Sequence, residues 1–288
     1  MITKSKNIHA FEASIKYIII SAISSALYLL GMLTLDYIGL LFINLAILIK
    51  LGVSPFHLWV ADIYEGTSIK VLPILALLPK IGYLVLILKL INDNINILLI
   101  IIGLISIIIG AVGALNQLSI KRLLAYSGIS NMGFLIIGVV FYSSNSLALP
   151  IYFIIYIINS LIIFTIVINL KDNLYINDLS QLGINNPYLA LLLSSAILSL
   201  AGVPPFLGFW GKLVIIYNCF YSGWVFLAIS LLFFAVIATF YYIRLANILF
   251  NNKLLINSII IIKHHFYILI ILSFCFIGCL ITSLKCLS

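Results

Sequence analysis

Charge is what this sequence has least of: Asp and Glu together number 7 in 288 residues, and only 8% of the chain is charged. An ordinary soluble domain is about a quarter charged and about 45–50% apolar. Here 65% of the residues are hydrophobic and mean hydropathy is +1.32. A soluble fold of this length has no interior large enough to hide so much apolar surface, so the bilayer is the solvent, and no separate soluble domain is visible. Cysteine is also scarce. Cys219, Cys275, Cys279 and Cys286 form no CxxC pair and read as buried thiols. No glycine-rich phosphate loop and no His/Cys cluster occurs, which argues against nucleotide, flavin, metal or iron–sulfur chemistry inside the chain. The net charge of +8 comes without a basic run, so nucleic acid is not an expected partner. No small-residue cleavage site follows the basic start, Met1 to His9, which therefore reads as mature protein.

Long apolar runs take the place of these features. A spanning helix needs about 20 mostly apolar residues. On that basis the sequence predicts an all-α transmembrane fold with nine spans: 13–31, 36–60, 69–91, 95–115, 122–142, 148–170, 188–218, 224–249 and 265–284. Lys and Arg collect on the cytoplasmic or matrix side of short loops. Nine spans put Lys4, Lys6, Lys70, Lys121, Arg122, Lys171, Lys253 and Lys263 on one face, against Lys89 and Lys285 on the other. That asymmetry predicts an N-terminus on the matrix (or cytoplasmic) side and a C-terminus opposite.

The second and seventh spans are interrupted. Gly52-Val53-Ser54-Pro55-Phe56 and Gly202-Val203-Pro204-Pro205-Phe206 share the pattern Gly-Val-x-Pro-Phe, 150 residues apart, and a Trp follows each. Proline removes a backbone donor and clashes with the preceding turn, so each helix should unwind at Gly52, Pro55 and at Pro204, Pro205. Irregular backbone at membrane depth is tolerated only inside protein or beside water. Paired broken helices running in opposite directions point to inverted repeats and an ion pathway. The expected division is a single transmembrane domain: residues 1–91 as the remainder of one repeat, 95–249 as the second, and 265–284 as a C-terminal helix. Two Pro-kinked helices with a chance match is the plainer alternative.

Three lysines lie where lipid forbids them. Lys50 precedes the first break, Lys80 sits at the midpoint of the third span, and Lys212 follows the second break. Each costs about 2.5–3.5 kcal/mol at a helix centre, so a hydrated polar axis must offset them. Desolvation disfavours the charged ammonium, and a lysine poised in this way can accept and release a proton through water. Snorkelling to an interface, or service as fixed counter-charge, is the alternative. His57, Asp62, Tyr64 and Glu65 follow the first break and read equally as the mouth of a proton path or as a solvated loop. Arg244 reads as a snorkelling residue at the matrix end of its helix, and His264 and His265 as surface residues.

The stretch Lys50-Leu51-Gly52-x-x-Pro55-Phe56-His57-x-Trp59-x-x-Asp62-x-Tyr64-Glu65-Gly66 resembles the signature of the antiporter-like membrane subunits of respiratory complex I, relatives of multi-subunit cation/proton antiporters. Gly113-Ala114-Leu115-Asn116-Gln117 running into Lys121-Arg122-Leu123-Leu124-Ala125-Tyr126-Ser127 resembles the subunit 2 branch. So do Leu200-Ala201-Gly202-Val203-Pro204-Pro205-Phe206-Leu207-Gly208-Phe209 with Lys212, and the opening Glu12-Ala13-Ser14-Ile15-Lys16-Tyr17.

The resemblance implies that Lys50, Lys80 and Lys212 are proton-relay lysines. It also implies that this chain carries no cofactor, with FMN, iron–sulfur clusters and ubiquinone in partner subunits, and that its neighbours are other membrane-arm subunits in the mitochondrial inner membrane or a bacterial plasma membrane. The family pairs the first lysine with a glutamate on a preceding helix, and no carboxylate lies mid-span before Lys50 here. Either a separate short chain supplies that helix and glutamate, or the first half-channel is dead. A subunit of a cation/proton antiporter and a non-pumping membrane scaffold remain the alternative functions.

Overall fold

The computed structural model describes residues 8–34, 37–90, 96–142, 147–169 and 175–250. Helix is the main element among them because lipid offers no partner to backbone N–H and C=O groups, and a helix satisfies them within one segment. The order is α1 (Ile8–Thr34), α2 (Tyr37–Leu51), α3 (Leu58–Gly66), α4 (Leu72–Leu90), α5 (Asn96–Leu115) and α6 (Ile120–Val140). Then come α7 (Ala148–Ile168), a short α8 (Leu179–Asn185), α9 (Pro187–Ala201), α10 (Leu207–Tyr221) and α11 (Val225–Phe250). Among the described residues, six helices are long and apolar enough to cross a membrane. The pairs α2/α3 and α9/α10 fill the two interrupted spans. Each of the first eight expected spans thus coincides with a helix or a broken pair, and the ninth, 265–284, lies outside the described residues. Cys275, Cys279, Cys286, His264 and His265 lie there too, whereas Cys219 is buried as expected.

The second span differs from expectation in length. Its second half does not stop near residue 60 but continues to Gly66, so Asp62 and Glu65 lie on a helix rather than in a loop. Nearby cations make this tolerable: Lys16 of α1 pairs with Asp62 at 2.6 Å, and Arg122 of α6 with Glu65 at 2.5 Å. Lys121 adds a hydrogen bond from Nζ to the Thr67 carbonyl at 2.7 Å.

The packing centre is α6, buried on nearly every side from Ile120 to Val139. Small residues let α5 lie directly against it. A Cβ built on Gly133 would come within 2.7 Å of the Gly103 carbonyl, and one on Gly110 within 2.6 Å of the Ser130 backbone. Close approach of this kind is how membrane helices associate where the hydrophobic effect between them is absent. Helices α3, α7 and α10 also pack on α6.

Both breaks end their first half-helix in the same way. Gly52 and Gly202 take φ of +67° and +81°. At the first, Gly52 N donates to Ile49 O at 3.1 Å and Val53 N to Leu48 O at 3.3 Å. At the second, Gly202 N donates to Ser199 O at 3.0 Å and Val203 N to Leu198 O at 3.2 Å. This paired pattern is the Schellman motif, which satisfies two of the helix-end carbonyls. The Ser54–Pro55 and Pro204–Pro205 peptides are both cis.

A Cβ at residue 52 would enter the left-handed region, at about 1–2 kcal/mol, and would also collide with the Val60 side chain. Gly52→Ala should therefore lower the thermal midpoint of the assembled protein clearly. Gly82→Ala, in mid-helix with nothing within 4 Å of the added carbon, should shift stability by no more than about 1 kcal/mol. Equal midpoints for the two variants would refute this account of the break.

Candidate functional site

Lys80 and Lys212 are both buried, at 7% and 5% exposure, and Lys50 is half-buried. Lys80 follows Pro79, whose missing N–H leaves the Leu75 carbonyl without its helical donor. Its Nζ donates to the Tyr156 hydroxyl at 3.0 Å. Gly128 lies beside this contact, and a Cβ there would stand 3.4 Å from the ammonium, an ordinary van der Waals distance. Lys50, in the last turn of α2, places Nζ 5.2 Å from the centre of the Tyr83 ring. One cavity of ≈ 80 Å³ reaches both lysines, with Tyr17, Trp59, Tyr64 and Tyr83 among its walls. That volume admits a few waters, which need about 10–15 Å³ each by this measure.

Lys212 is held differently. Its Nζ donates to the carbonyls of Leu200 and Ala201 at 2.7 and 3.1 Å. These are end carbonyls of α9 that the Schellman pair leaves open, where the helix dipole also favours a cation. The side chain packs over Gly202, with Cδ 3.1 Å from where a Cβ would sit. Its Nζ lies 5.4 Å from the centre of the Phe134 ring. Behind the break, Ser199 Oγ accepts from Asn159 Nδ2 at 2.8 Å and from the Gly208 N–H at 3.1 Å.

A polar seam on α6 and α7 lies between the two buried lysines. Tyr152 donates to Asn131 Oδ1 at 2.9 Å. The hydroxyls of Tyr241 and Tyr242, both buried on α11, stand beside Ser130 and beside Ser127 and Asn131 respectively.

Comparison with known proteins places this architecture. A profile of the NADH:quinone oxidoreductase/Mrp antiporter transmembrane family matches residues 34–240. This chain belongs to that family. NADH-ubiquinone oxidoreductase chain 2 of Metridium senile is 35% identical over 272 residues, covering 83% of this chain and 70% of the relative. NADH-quinone oxidoreductase subunit N of Hydrogenovibrio crunogenus is 30% identical over 288 residues, covering 87% of this chain and 60% of its own length. The chain thus spans about 60% of that bacterial relative. Among solved structures, respiratory complex I from Thermus thermophilus with bound aureothin superposes at a TM-score of 0.79. It shows 25% identity over 85% of this chain and 61% of that one. A chain of the Mrp complex from a Dietzia species shares the fold at a TM-score of 0.74 and 20% identity, over 83% of this chain and 51% of that one.

Within this family fold, the three lysines do not share one chamber. Lys50 and Lys80 meet at the cavity, and Lys212 stands apart at the second break. His57 is buried in the first break beside the Pro55 backbone. Asp62 and Glu65 are committed to Lys16 and Arg122, and Lys16 also holds Glu12 at 2.7 Å. These ion pairs tie α3 to α1 and α6. Arg244 is exposed and reaches the Leu115 carbonyl at 3.5 Å.

Sequence reasoning missed Tyr152, Tyr156 and Asn159 as site residues. Their signal was present: positions i, i+4 and i+7 form one polar stripe on an otherwise apolar α7. Ser127, Ser130 and Asn131 form a similar stripe on α6.

Removing the Ser199 hydroxyl would leave two buried donors unpaired, at about 1–3 kcal/mol each. Ser199→Ala should therefore depress the thermal midpoint. Ser195→Ala, at a half-buried position whose exposed hydroxyl bonds within its own helix, should leave the midpoint near wild type. A Ser199→Ala midpoint as high as that control would show that the hydroxyl does not brace the second break.

Proposed function

We propose that this chain is a proton-translocating membrane-arm subunit of a respiratory NADH:quinone oxidoreductase, of the subunit 2 (N) kind. Protons would move through buried lysines and water in response to redox chemistry carried by FMN, iron–sulfur clusters and quinone in partner subunits. The observation that carries this reading is the pair of buried ammonium groups built into a polar membrane interior: Lys80 on Tyr156, and Lys212 on the end carbonyls of a broken helix. Intramembrane lysines are costly and mark ion or proton pathways. The chain 2 and subunit N relatives favour complex I over a stand-alone cation/proton antiporter, whose fold is nonetheless shared.

The matching breaks support an inverted-repeat reading. With one span per helix or broken pair, four spans (α4, α5, α6 and α7) lie between them, so they run in opposite directions. Residues 1–91 and 95–249 would then be the two repeats, each opening toward a different face. Lys50 and Lys80 would serve the first half-channel and Lys212 the second, with His57 lining the first break. The basic bias of one set of loops supports a matrix-side N-terminus in a mitochondrial inner membrane. Among the described residues no carboxylate pairs with Lys50. We infer that its counter-charge comes from a neighbouring membrane chain packed along α1, which keeps a broad apolar face exposed through Phe11, Ile18 and Leu33.

Lys80→Met and Lys212→Met in the assembled complex should each cut protons translocated per NADH by more than half in sealed vesicles, read by quenching of a pH-sensitive dye. Full pumping by both variants would instead favour the scaffold reading. Mass spectrometry of a native-gel band active in NADH oxidation should also find this chain there with a short hydrophobic partner. Its absence from that band would favour the antiporter.

A further inference from the structure

The two buried lysines differ in the kind of partner they keep. Lys212 Nζ donates to the backbone carbonyls of Leu200 and Ala201 at 2.7 and 3.1 Å, and a carbonyl oxygen only accepts. Lys80 Nζ donates to a hydroxyl, that of Tyr156, at 3.0 Å, and a hydroxyl both accepts and donates. This contact joins α4 to α7, and both side chains are buried, Tyr156 at 5% exposure and Lys80 at 7%. The Lys80 ammonium also lies 5.3 Å from the centre of the Tyr156 ring. On its other side Lys80 faces the cavity that Lys50, Tyr64 and Tyr83 help to line. Lys80 thus stands between a fixed partner on α7 and a space that admits water.

A lysine that carries protons must hold its place in two states. As an ammonium it has three donors and no acceptor; as an amine it keeps two N–H groups and gains a lone pair. The Tyr156 oxygen accepts from the ammonium. Once Lys80 has given a proton to water on the cavity side, a turn about its Cε–Nζ bond brings the new lone pair to the Tyr156 O–H, which donates to it. The hydrogen bond changes direction, the phenol keeps its proton, and the Lys80 head stays where it was. The cradle of Lys212 has no such second mode. Carbonyls cannot donate, and the end of the α9 dipole and the face of the Phe134 ring, 5.4 Å from Nζ, attract that side chain as a cation.

We propose that Tyr156 is the positioning residue of Lys80: its hydroxyl is acceptor to the ammonium and donor to the amine, and so keeps the lysine head at the cavity wall through both halves of the proton cycle. This rests on the reading that Lys80 carries protons. The ring of Tyr156 alone cannot do the same, because a ring face attracts the ammonium and offers nothing to the amine.

The test uses the assembled complex in sealed vesicles and reads protons translocated per NADH over a range of pH. Tyr156→Phe keeps the ring and removes only the hydroxyl. It should lower the ratio about twofold or more, with the amount of assembled complex near wild type. The pH at which pumping falls off should also move, because the ammonium and the amine lose hydrogen bonds of unequal strength. In a Lys80→Met background the same substitution should change nothing further, since a positioning residue acts only through the group it positions. A wild-type ratio in Tyr156→Phe overturns the proposal. A loss that is even at every pH, or a double variant that pumps less than Lys80→Met alone, marks general loosening of α4 against α7 and overturns it too. Failure of the underlying reading looks different: Lys80→Met alone would then pump as wild type.

Discussion

A helix that stops inside a membrane leaves carbonyls that water cannot reach, and the structure is organised around their satisfaction. The Schellman turns at Gly52 and Gly202 take two carbonyls at each break. At the second break the next two, Leu200 and Ala201, accept the Lys212 ammonium. Break and lysine depend on each other: the carbonyls make the charge tolerable, and the charge makes the carbonyls tolerable. The direction of the helix dipole adds to the attraction. The first break uses other means. Ser54 N donates to the Ser106 hydroxyl of α5 at 3.2 Å, while Lys50 faces the cavity with Tyr83.

These breaks need fixed neighbours, and α6 supplies them. Glycines on α5 and α6 bring the two backbones together, and α3, α7 and α10 close around the rest. Burial on nearly every side leaves the polar residues of α6 no lipid or water to turn to: the Ser127 and Ser130 hydroxyls donate to the Leu124 and Ser127 carbonyls of their own helix, and Asn131 Oδ1 accepts from Tyr152 of α7. Buried networks of this kind also hold their members rigidly.

The charged residues near the first break carry a different burden. A nine-residue helix such as α3 is too short to be stable alone. Lys16, Arg122 and Lys121 tie it to α1 and α6 at three points along its second half and just beyond. Each exposed ion pair contributes only about 0–1 kcal/mol, so their combined effect is to fix orientation more than to add stability. That orientation holds Trp59 and Tyr64 against the cavity shared by Lys50 and Lys80.

Much of this was legible in the sequence. Hydropathy, proline and glycine act on the nearest few residues, so the spans, the two breaks and the three misplaced lysines could be read locally. The antiporter-family membership followed from motifs that are themselves local. The division of labour among the polar groups was not legible. The ion-pair partners of Asp62 and Glu65 could not be read there, because Lys16 and Arg122 lie on other helices. Lys80 meets Tyr156 across 76 residues, and Tyr152 of α7 donates to Asn131 of α6. The sequence determined that charge would be placed in the membrane and where the backbone would break. Tertiary structure decided which groups face one another, because helix rotation and depth are set by side-chain packing between segments far apart in the chain.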